Sequence, residues 1–381
     1  MKNPFEYGGV VALKSFCNRK KELQDLQRVF TNGERMFLYA ERRVGKTSLI
    51  KKALNNLDPS QFVSIYVDLW PTDSEADFAI KLAKAITEST STASGNVLTF
   101  AKKFFGFLKP AVTLDENGHP KVIFGVSQND ERPPELSEVL EVIPKLSEQL
   151  KKQVVIVLDE FQQITEYESD AVEKKLRSAI QHHKNVSYLF SGSRKHILES
   201  MFVDQQRPLY RAAGHYPLQM IETSEWTPFI TEKFTSSQKT IGTDVIEQLC
   251  RITRGHPFYT QNLCNAIWEL TDSGKEATKA TLDQAIDLLL QRENFAFTTL
   301  WESLANNQRS LLSALAVDSE DSKPFSAQFV QRSGLRTPSN VQRASQALIK
   351  RDLIDRDESG NLYIPDRFLE IWIRTRIENI N

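Results

Sequence analysis

The sequence has few cysteines, no long apolar run and almost no excess of charge. Its three cysteines, Cys17, Cys250 and Cys264, are an odd number without metal-type spacing, which argues against a disulfide framework and a cysteine-bound metal. No apolar stretch reaches the roughly 18 residues that span a bilayer, and the N-terminal residues lack the apolar core of a secretion signal. We therefore expect a cytoplasmic protein with no membrane partner. The net charge of -1 means that any basic patch for nucleic acid must be local.

The rest of the composition is that of a soluble globular protein, with 381 residues, 40% apolar and 25% charged, and this length predicts two or three domains. Four short apolar runs, at residues 36–39, 62–68, 154–158 and 186–190, are typical of strands buried in a parallel sheet. Helical patterns separate these runs. The alternation predicts an α/β fold with an open sheet, whose ligands bind beyond the carboxyl ends of its strands.

The strand signals end near residue 222, and helical patterns follow. Residues 301–381 then show a helix, a short helix, a turn, a longer helix and a hairpin, which is the order of a winged helix-turn-helix. We predict an α/β domain over 1–222, an all-α domain over 223–300 and a winged-helix domain over 301–381. A hairpin centred on Asn117-Gly118, at about 110–126, is predicted as an insertion without an assigned role.

Residues 40–47, AERRVGKT, follow a predicted strand and precede a predicted helix. In a phosphate-binding loop of this type, backbone N–H groups and the helix start hold the phosphates, a lysine reaches the β/γ oxygens and a hydroxyl binds Mg²⁺. Lys46 and Thr47 have the residue types for the last two roles, although Ala40 replaces the first glycine of the pattern. The predicted phosphate contacts are Arg42, Arg43, Val44, Gly45, Lys46, Thr47 and Ser48. For the two arginines, an ion pair with Glu41 or Glu160 is the alternative.

Two carboxylates follow the most apolar of the predicted strands. Asp159 would complete the Mg²⁺ site and Glu160 would act as general base on the attacking water, whereas a solvated acidic turn is the alternative. Ser193 and Arg194 end the next strand, where they could contact the γ-phosphate or the water, although Ser-Gly-Ser also suits an ordinary turn. The predicted catalytic residues are Lys46, Asp159, Glu160, Ser193 and Arg194, and the predicted metal ligands are Thr47 and Asp159.

Five segments occur in an order typical of one family. They are residues 16–23 (FCNRKKEL), 42–49 (RRVGKTSL), 158–162 (LDEFQ), 190–193 (FSGS) and 255–258 (GHPF). Together they resemble the archaeal-type ATPases, a branch of the STAND class of AAA+-related P-loop NTPases. The resemblance covers nearly the whole chain, including the winged helix, but not the hairpin region. It implies an AAA+-like sheet followed by a helical lid, and ATP as the nucleotide.

The resemblance also implies roles that the residues alone do not. Gly255-His256-Pro257 takes the position of the family's Gly-x-Pro motif in the lid, where His256 and Pro257 approach the nucleotide. Arg19 would lie near the adenine, with Asn18 where the family commonly has glycine. Without the resemblance, residues 255–257 are a helix-breaking tripeptide with a structural histidine.

The longer helix of the winged helix carries a polar stripe at helical spacing, formed by Arg343, Gln346 and Lys350. Such a stripe could enter the major groove of double-stranded DNA, with Arg343 and Gln346 at base edges and Lys350 or Arg351 on phosphate. The alternative is a solvated helix face on a domain that packs against the ATPase core.

We therefore predict a Mg²⁺-dependent ATPase that hydrolyses ATP slowly and acts as a nucleotide-controlled switch through its lid and winged helix. Its output would pass to a partner protein, to a second copy of the chain or to DNA. The alternatives are a DNA-binding regulator whose nucleotide site only senses, and a DNA-remodelling AAA+ motor.

Overall fold

The computed structural model describes residues 2–9, 16–94, 103–106, 108–114, 120–126, 135–193, 195–317, 325–357 and 359–378. The chain divides into two compact units. The sheet unit is Ala12–Gln219, and the helical unit combines Met1–Val11 with Met220–Asn381. None of the helices in these described ranges combines the length and apolar character needed to cross a bilayer.

The sheet unit alternates strands and helices. In chain order they are α1 (Lys20–Thr31), β1 (Arg35–Tyr39), α2 (Lys46–Asn55), β2 (Phe62–Asp68), α3 (Glu75–Ser94), β3 (Leu108–Leu114), β4 (Pro120–Val126), α4 (Leu136–Leu150), β5 (Gln153–Asp159), a 3₁₀ helix (Phe161–Glu166), α5 (Ala171–His182), β6 (Val186–Gly192), α6 (Lys195–Val203) and β7 (Gly214–Pro217).

Five of these strands form one parallel sheet in the order β2-β5-β6-β1-β7. The register aligns the carboxyl ends of neighbouring strands, since Asp68 lies opposite Asp159 and Tyr39 lies opposite Gly192. β6 is buried along its whole length, as expected of a parallel strand covered on both faces. The α/β fold and its four predicted strands are confirmed, and β7 is an additional edge strand.

The predicted hairpin is present as the antiparallel pair of β3 and β4, which runs from Leu108 opposite Val126 to Leu114 opposite Pro120. Leu108 is buried in the hydrophobic core of the sheet unit. The predicted turn at Asn117-Gly118 lies outside the described residues. The hairpin therefore begins at the core of the sheet unit without adding a strand to the main sheet.

The helical unit contains α7 (Thr223–Thr235), β8 (Thr240–Ile241), α8 (Thr243–Thr253), α9 (Pro257–Leu270), β9 (Glu276–Ala277), α10 (Lys279–Glu302), α11 (Asn306–Val317), α12 (Ala327–Arg332), α13 (Pro338–Lys350), β10 (Asp355–Arg356), β11 (Leu362–Tyr363) and α14 (Arg367–Glu378). The region predicted to be all-α also holds the short parallel pair of β8 and β9.

The C-terminal part of this unit has the order predicted for a winged helix. α12 and α13 follow α11, and the antiparallel pair of β10 and β11 comes next. Thr337 caps α13, because its Oγ1 accepts a hydrogen bond from the N–H of Asn340, and Pro338 occupies the first turn. Val341 and Leu348 are buried, so α13 packs through the face that its apolar spacing predicts.

Candidate functional site

The loop between β1 and α2 turns through the left-handed region twice, at Arg43 with φ 61° and at Gly45 with φ 91°. Apart from its chain neighbours, no atom of the described residues lies within 4 Å of the position that a Cβ on Gly45 would take, so this part of the structure leaves the space beside the loop open. Gly45 precedes α2, and no side chain of the residues that the structure describes caps this helix start. Because the first N–H groups of a helix lack intrahelical partners, the start of α2 is suited to hold an anion.

Lys46, the first residue of α2, is buried. Its Nζ donates hydrogen bonds to the carbonyl oxygens of Ala40 at 3.2 Å and Glu41 at 3.0 Å. Burial lowers the pKa of Lys46, and the negative charges of Glu160 and Asp159 oppose that shift. A desolvated ammonium of this kind is stabilised by a nearby anion.

The other predicted phosphate contacts differ in exposure. Arg42 and Arg43 are exposed, whereas Val44 and Ser48 are buried. Guanidinium groups on the exposed part of the loop can bind phosphate oxygens in a bidentate manner. Their predicted contact with phosphate and the alternative of an ion pair both stay open.

Asp159 ends β5 and is 2% exposed. Its Oδ2 accepts hydrogen bonds from Thr47 Oγ1 at 2.9 Å and from Tyr66 Oη at 2.7 Å. Its Oδ1 accepts one from the N–H of Glu160 at 3.0 Å. The fold thus joins the end of β5 to the first turn of α2 and to β2, whose residues Thr47 and Tyr66 precede Asp159 by 112 and 93 residues.

These groups fit a Mg²⁺ ion in their chemistry. Mg²⁺ prefers oxygen ligands and is usually held by one or two carboxylates together with substrate phosphates. The Thr47 hydroxyl and the Asp159 carboxylate, which contact each other, supply such oxygens. Within the described residues, no group of three or more His, Cys, Asp or Glu side chains is placed to hold a metal ion. A donor set of one carboxylate and one hydroxyl suits an ion whose other ligands come from a substrate phosphate and water.

Glu160 follows Asp159 in the left-handed conformation, with φ 51°. Its Oε2 accepts hydrogen bonds from Ser193 Oγ at 3.1 Å and from Gln162 Nε2 at 2.5 Å. The structure therefore brings Glu160 and Ser193 together, as the positions of their strands in the sequence suggest. Arg194 lies outside the described residues, and its predicted contact stays a prediction.

Arg19 is buried beside the loop. Its Nη1 donates hydrogen bonds to Glu22 at 2.9 Å and to the carbonyl oxygen of Gln219 at 2.5 Å, and its Nη2 donates to the carbonyl oxygen of Val44 at 3.4 Å. Asn18 has φ 41°, a left-handed conformation that asparagine tolerates better than most residues, so it can stand where the resembled family has glycine. Arg19 thus fixes the loop to α1, and its proximity to adenine stays a prediction.

In the helical unit, Gly255-His256-Pro257 forms the turn between α8 and α9. A Cβ on Gly255 would lie 2.1 Å from the carbonyl oxygen of Ile221. His256 is buried and caps α9, because its Nδ1 accepts a hydrogen bond from the N–H of Phe258 at 3.2 Å. Pro257 begins the helix, where a missing N–H has no cost. The approach of His256 and Pro257 to a nucleotide stays a prediction.

The predicted DNA-contact residues lie on one exposed surface. Arg343, Gln346, Lys350 and Arg351 are all exposed at or just after α13. Arg351 Nη2 also donates a hydrogen bond to Ser303 Oγ at 2.9 Å. The stripe is therefore available to solvent, with Arg351 partly engaged inside its own unit.

Tyr66 and Gln162 are site residues whose roles do not follow from the sequence pattern. The sequence pattern does not distinguish Tyr66 from other residues of a strand. Its contact with Asp159 depends on β2 lying next to β5. Gln162 stands two residues after Glu160, which was a usable signal. Carboxylates only accept hydrogen bonds, so the Gln162 amide must turn its Nε2 toward Glu160. Its Oε1 is then buried without a hydrogen bond in the described part of the chain.

Comparison with known proteins supports this picture. Residues 16–263 match the family described as an ATPase domain predominantly from Archaea, and residues 295–375 match a probable winged helix domain. A segment of 43 residues is 51% identical to an uncharacterised ATP-binding protein of Methanocaldococcus jannaschii, and it covers 11% of this chain and 73% of that protein.

Solved structures with a similar fold cover nearly the whole chain. The Walker-type ATPase of Pyrococcus abyssi has a TM-score of 0.65 and 17% identity, over 95% of this chain and 97% of that one. The ORC2 protein of Aeropyrum pernix, in its ADPNP-ADP complexes, has a TM-score of 0.53 and 12% identity, over 94% of this chain and 95% of that one. At these identities the likeness concerns the fold alone. The family match, however, spans more than half of the sequence, and the chain belongs to the family of ATPase domains found predominantly in Archaea.

Proposed function

We propose that this protein binds ATP together with Mg²⁺, hydrolyses the ATP slowly and uses the hydrolysis to reset a nucleotide-controlled switch. The observation that carries the proposal is the hydrogen bond between Thr47 and Asp159, at 2.9 Å, beside the buried Lys46 and the held carboxylate of Glu160. Membership of the ATPase family supports nucleotide binding.

In this proposal the phosphates bind at the uncapped start of α2. The open space beside Gly45 admits them, the first N–H groups of the helix hold them, and Lys46 pairs with their charge. An incoming phosphate would offset the desolvation of the Lys46 ammonium. Arg42 and Arg43 would add contacts at the exposed side of the loop, and Arg19 would support the loop near the base.

Thr47 and Asp159 would hold the metal, which supplies neutralisation of the phosphate charge when it is bound. Glu160 would take the proton from the attacking water as general base. Ser193 and Gln162 fix Oε2 of that carboxylate, and we assign its Oε1 to the water. Ser193, with Arg194 next to it, would also contact the γ-phosphate.

The switch part of the proposal draws on contacts within the helical unit. Arg367 of α14 donates a hydrogen bond from Nε to the carbonyl oxygen of Ile252 at 3.0 Å. Glu370, on the same helix, lies 3.8 Å from Arg254, which directly precedes the turn at 255–257. A nucleotide-dependent change at His256 would therefore be passed to the winged helix through α14.

The replacement Glu160→Gln tests the proposal because it keeps the shape of the side chain and removes the base. We expect ATP turnover to fall about 100-fold or more, the usual contribution of a general base, while ATP affinity is retained. Glu168→Gln, an exposed carboxylate of the same unit, is the matched control. Full turnover in Glu160→Gln, or a wild-type protein that does not bind ATP, would overturn the proposal.

A second candidate function is a DNA-binding regulator, favoured by the exposed stripe on α13 and by the winged-helix match. If the stripe reads DNA, Arg343→Ala should weaken binding in a gel shift by about 1–3 kcal/mol, while Lys279→Ala, an exposed lysine elsewhere in the helical unit, should not. Unchanged affinity for Arg343→Ala and Lys350→Ala would remove this candidate.

ATP turnover measured with and without DNA tests the alternative of a DNA-remodelling motor, which requires that DNA stimulates the turnover.

A further inference from the structure

Tyr66 places a hydroxyl group on the carboxylate that we assign to the metal. It lies on β2, next to β5, and Asp68 of β2 pairs with Asp159 at the ends of the two strands. Tyr66 Oη is 2.7 Å from Asp159 Oδ2, and Thr47 Oγ1 is 2.9 Å from the same oxygen. One carboxylate oxygen therefore accepts two hydroxyl donors from two different elements.

The direction of this hydrogen bond is fixed by chemistry. An ionised carboxylate only accepts, so Tyr66 must donate. A phenol keeps its proton at neutral pH, so its O–H is available as the donor. The third partner of the carboxylate, the N–H of Glu160, binds Oδ1. The Asp159 carboxylate is thus held on both oxygens.

Thr47 and Tyr66 differ in what they can do when Mg²⁺ binds. The Thr47 hydroxyl is itself a proposed metal ligand, so it would bind the metal as well as contact Asp159. Tyr66 is not a proposed metal ligand. As a neutral phenol it holds the carboxylate without cancelling the negative charge, whereas an arginine or a lysine would cancel it. Its ring is also held independently, since Lys51 Nζ lies 5.5 Å from the ring centroid. A phenylalanine would keep this packing and remove only the hydroxyl.

We propose that Tyr66 is a positioning residue for Mg²⁺, whose hydroxyl holds Asp159 in the orientation that the metal requires. The inference rests on the proposed Mg²⁺-ATP function and names a residue that this function had not included. Partners that orient metal ligands commonly contribute 10–100-fold to metal affinity. The loss should therefore appear in metal binding, with the affinity for metal-free nucleotide retained.

The experiment measures equilibrium binding of ATP to Tyr66→Phe, by calorimetry or with a fluorescent ATP analogue, in EDTA and across a Mg²⁺ titration. We expect the half-saturating Mg²⁺ concentration to rise about tenfold, while the affinity for ATP in EDTA stays at the wild-type value. Tyr216→Phe is the matched control, because Tyr216 Oη also donates to a carboxylate of the sheet unit, that of Asp25, at 2.9 Å. Asp159→Asn gives the response expected when the metal carboxylate itself is lost.

The outcomes separate the inference from the function on which it rests. If the wild-type protein binds ATP with a clear Mg²⁺ dependence and Tyr66→Phe behaves identically, the inference is wrong and the proposed function stands. If Tyr66→Phe loses affinity equally in EDTA, or Tyr216→Phe shows the same shift, the hydroxyl has a general structural role and the inference is also wrong. A wild-type protein without Mg²⁺-dependent ATP binding contradicts the proposed function itself.

Discussion

Two turns with a left-handed glycine look alike in the sequence and differ in the space around them. Gly45 in the sheet unit has φ 91°, and apart from its chain neighbours no atom of the described part of the chain lies within 4 Å of the position that a Cβ would take there. At Gly255 in the helical unit, with φ 66°, a Cβ would meet the Ile221 carbonyl oxygen at 2.1 Å. The Gly255 carbonyl oxygen also accepts hydrogen bonds from the N–H of Ile221 and from Trp226 Nε1. In the described structure the space beside Gly45 is open, whereas the space beside Gly255 is filled by the backbone of Ile221.

The helices that follow these turns differ in the same way. α2 begins without a side-chain cap, so its first N–H groups can bind a ligand. α9 is capped by His256, whose ring already accepts a hydrogen bond from the N–H of Phe258. A glycine motif before a helix therefore indicates anion binding only where the space and the helix start are both free. In the second turn the glycine is explained by packing within the helical unit.

The largest expected effect is that of Gly255→Ala. The new methyl group would overlap a backbone carbonyl, and alanine would also be forced into a left-handed conformation, so we expect a loss of about 3 kcal/mol or more in the free energy of unfolding of the helical unit. Hydrogen exchange of the amides in α8 and α9 measures this loss locally.

Gly334→Ala is the matched control, because Gly334 also has φ 66° and lies in the helical unit, but among the described residues only its chain neighbours lie within 4 Å of its Cβ position. At Gly334 only the cost of holding alanine in the left-handed conformation remains, which is of order 1 kcal/mol in the free energy of unfolding. Equal losses for the two variants would show that φ alone accounts for Gly255, and the contrast between a filled turn and an open one would fail.

Lys46→Ala should lower ATP affinity more than stability, whereas Gly255→Ala should lower the stability of the helical unit. A charged hydrogen-bond donor to phosphate is lost, so we expect ATP affinity to fall by about 10–100-fold. Folding should be weakened little, because the cost of burying the charged lysine offsets the two hydrogen bonds that its Nζ donates to the carbonyl oxygens of Ala40 and Glu41. Calorimetric titration with ATP and thermal unfolding measure the two quantities, with Lys145→Ala, an exposed lysine on α4, as control.

The lowered pKa of Lys46 gives this comparison a dependence on pH. Between the lowered pKa and the ordinary value of 10.5, the unfolded chain binds more protons at this residue than the folded chain. The wild-type protein should therefore gain stability relative to Lys46→Ala as the pH rises through that window. An unfolding free energy that falls relative to the variant would contradict the proposed desolvation of Lys46.

The parts of the site that were predictable from the sequence are local. The strand, loop and helix around Lys46 are contiguous, and the apolar run before Asp159 is long enough to mark a central strand. The placement of Glu160 and Ser193 at one edge of the sheet also followed, because neighbouring parallel strands end there, whereas the hydrogen bond between them was not predicted.

The parts that were not predictable depend on strand order and on space. Tyr66 reaches Asp159 only because β2 lies beside β5, and nothing in a single sequence states that order. β7 has only the residues GHYP and no apolar run, since it pairs with β1 alone at the edge of the sheet. The filled turn at Gly255 required knowledge that Ile221 packs against it, which is a contact between segments distant in the sequence.

The smallest expected effect is that of Trp226→Phe, which tests whether the filled turn is held by its carbonyl hydrogen bonds. Trp226 is fully buried, and its Nε1 donates to the Gly255 carbonyl oxygen at 3.1 Å. The N–H of Ile221 still bonds this oxygen at 3.2 Å in the variant, so we expect a loss of only about 1–2 kcal/mol in the unfolding free energy of the helical unit. Hydrogen exchange at α8 and α9 measures it, and Trp70→Phe, at a tryptophan that is 57% exposed, should change stability by less than about 0.5 kcal/mol. A Trp226→Phe protein as stable as Trp70→Phe would mean that the turn is fixed by the fit of Gly255 against Ile221 alone.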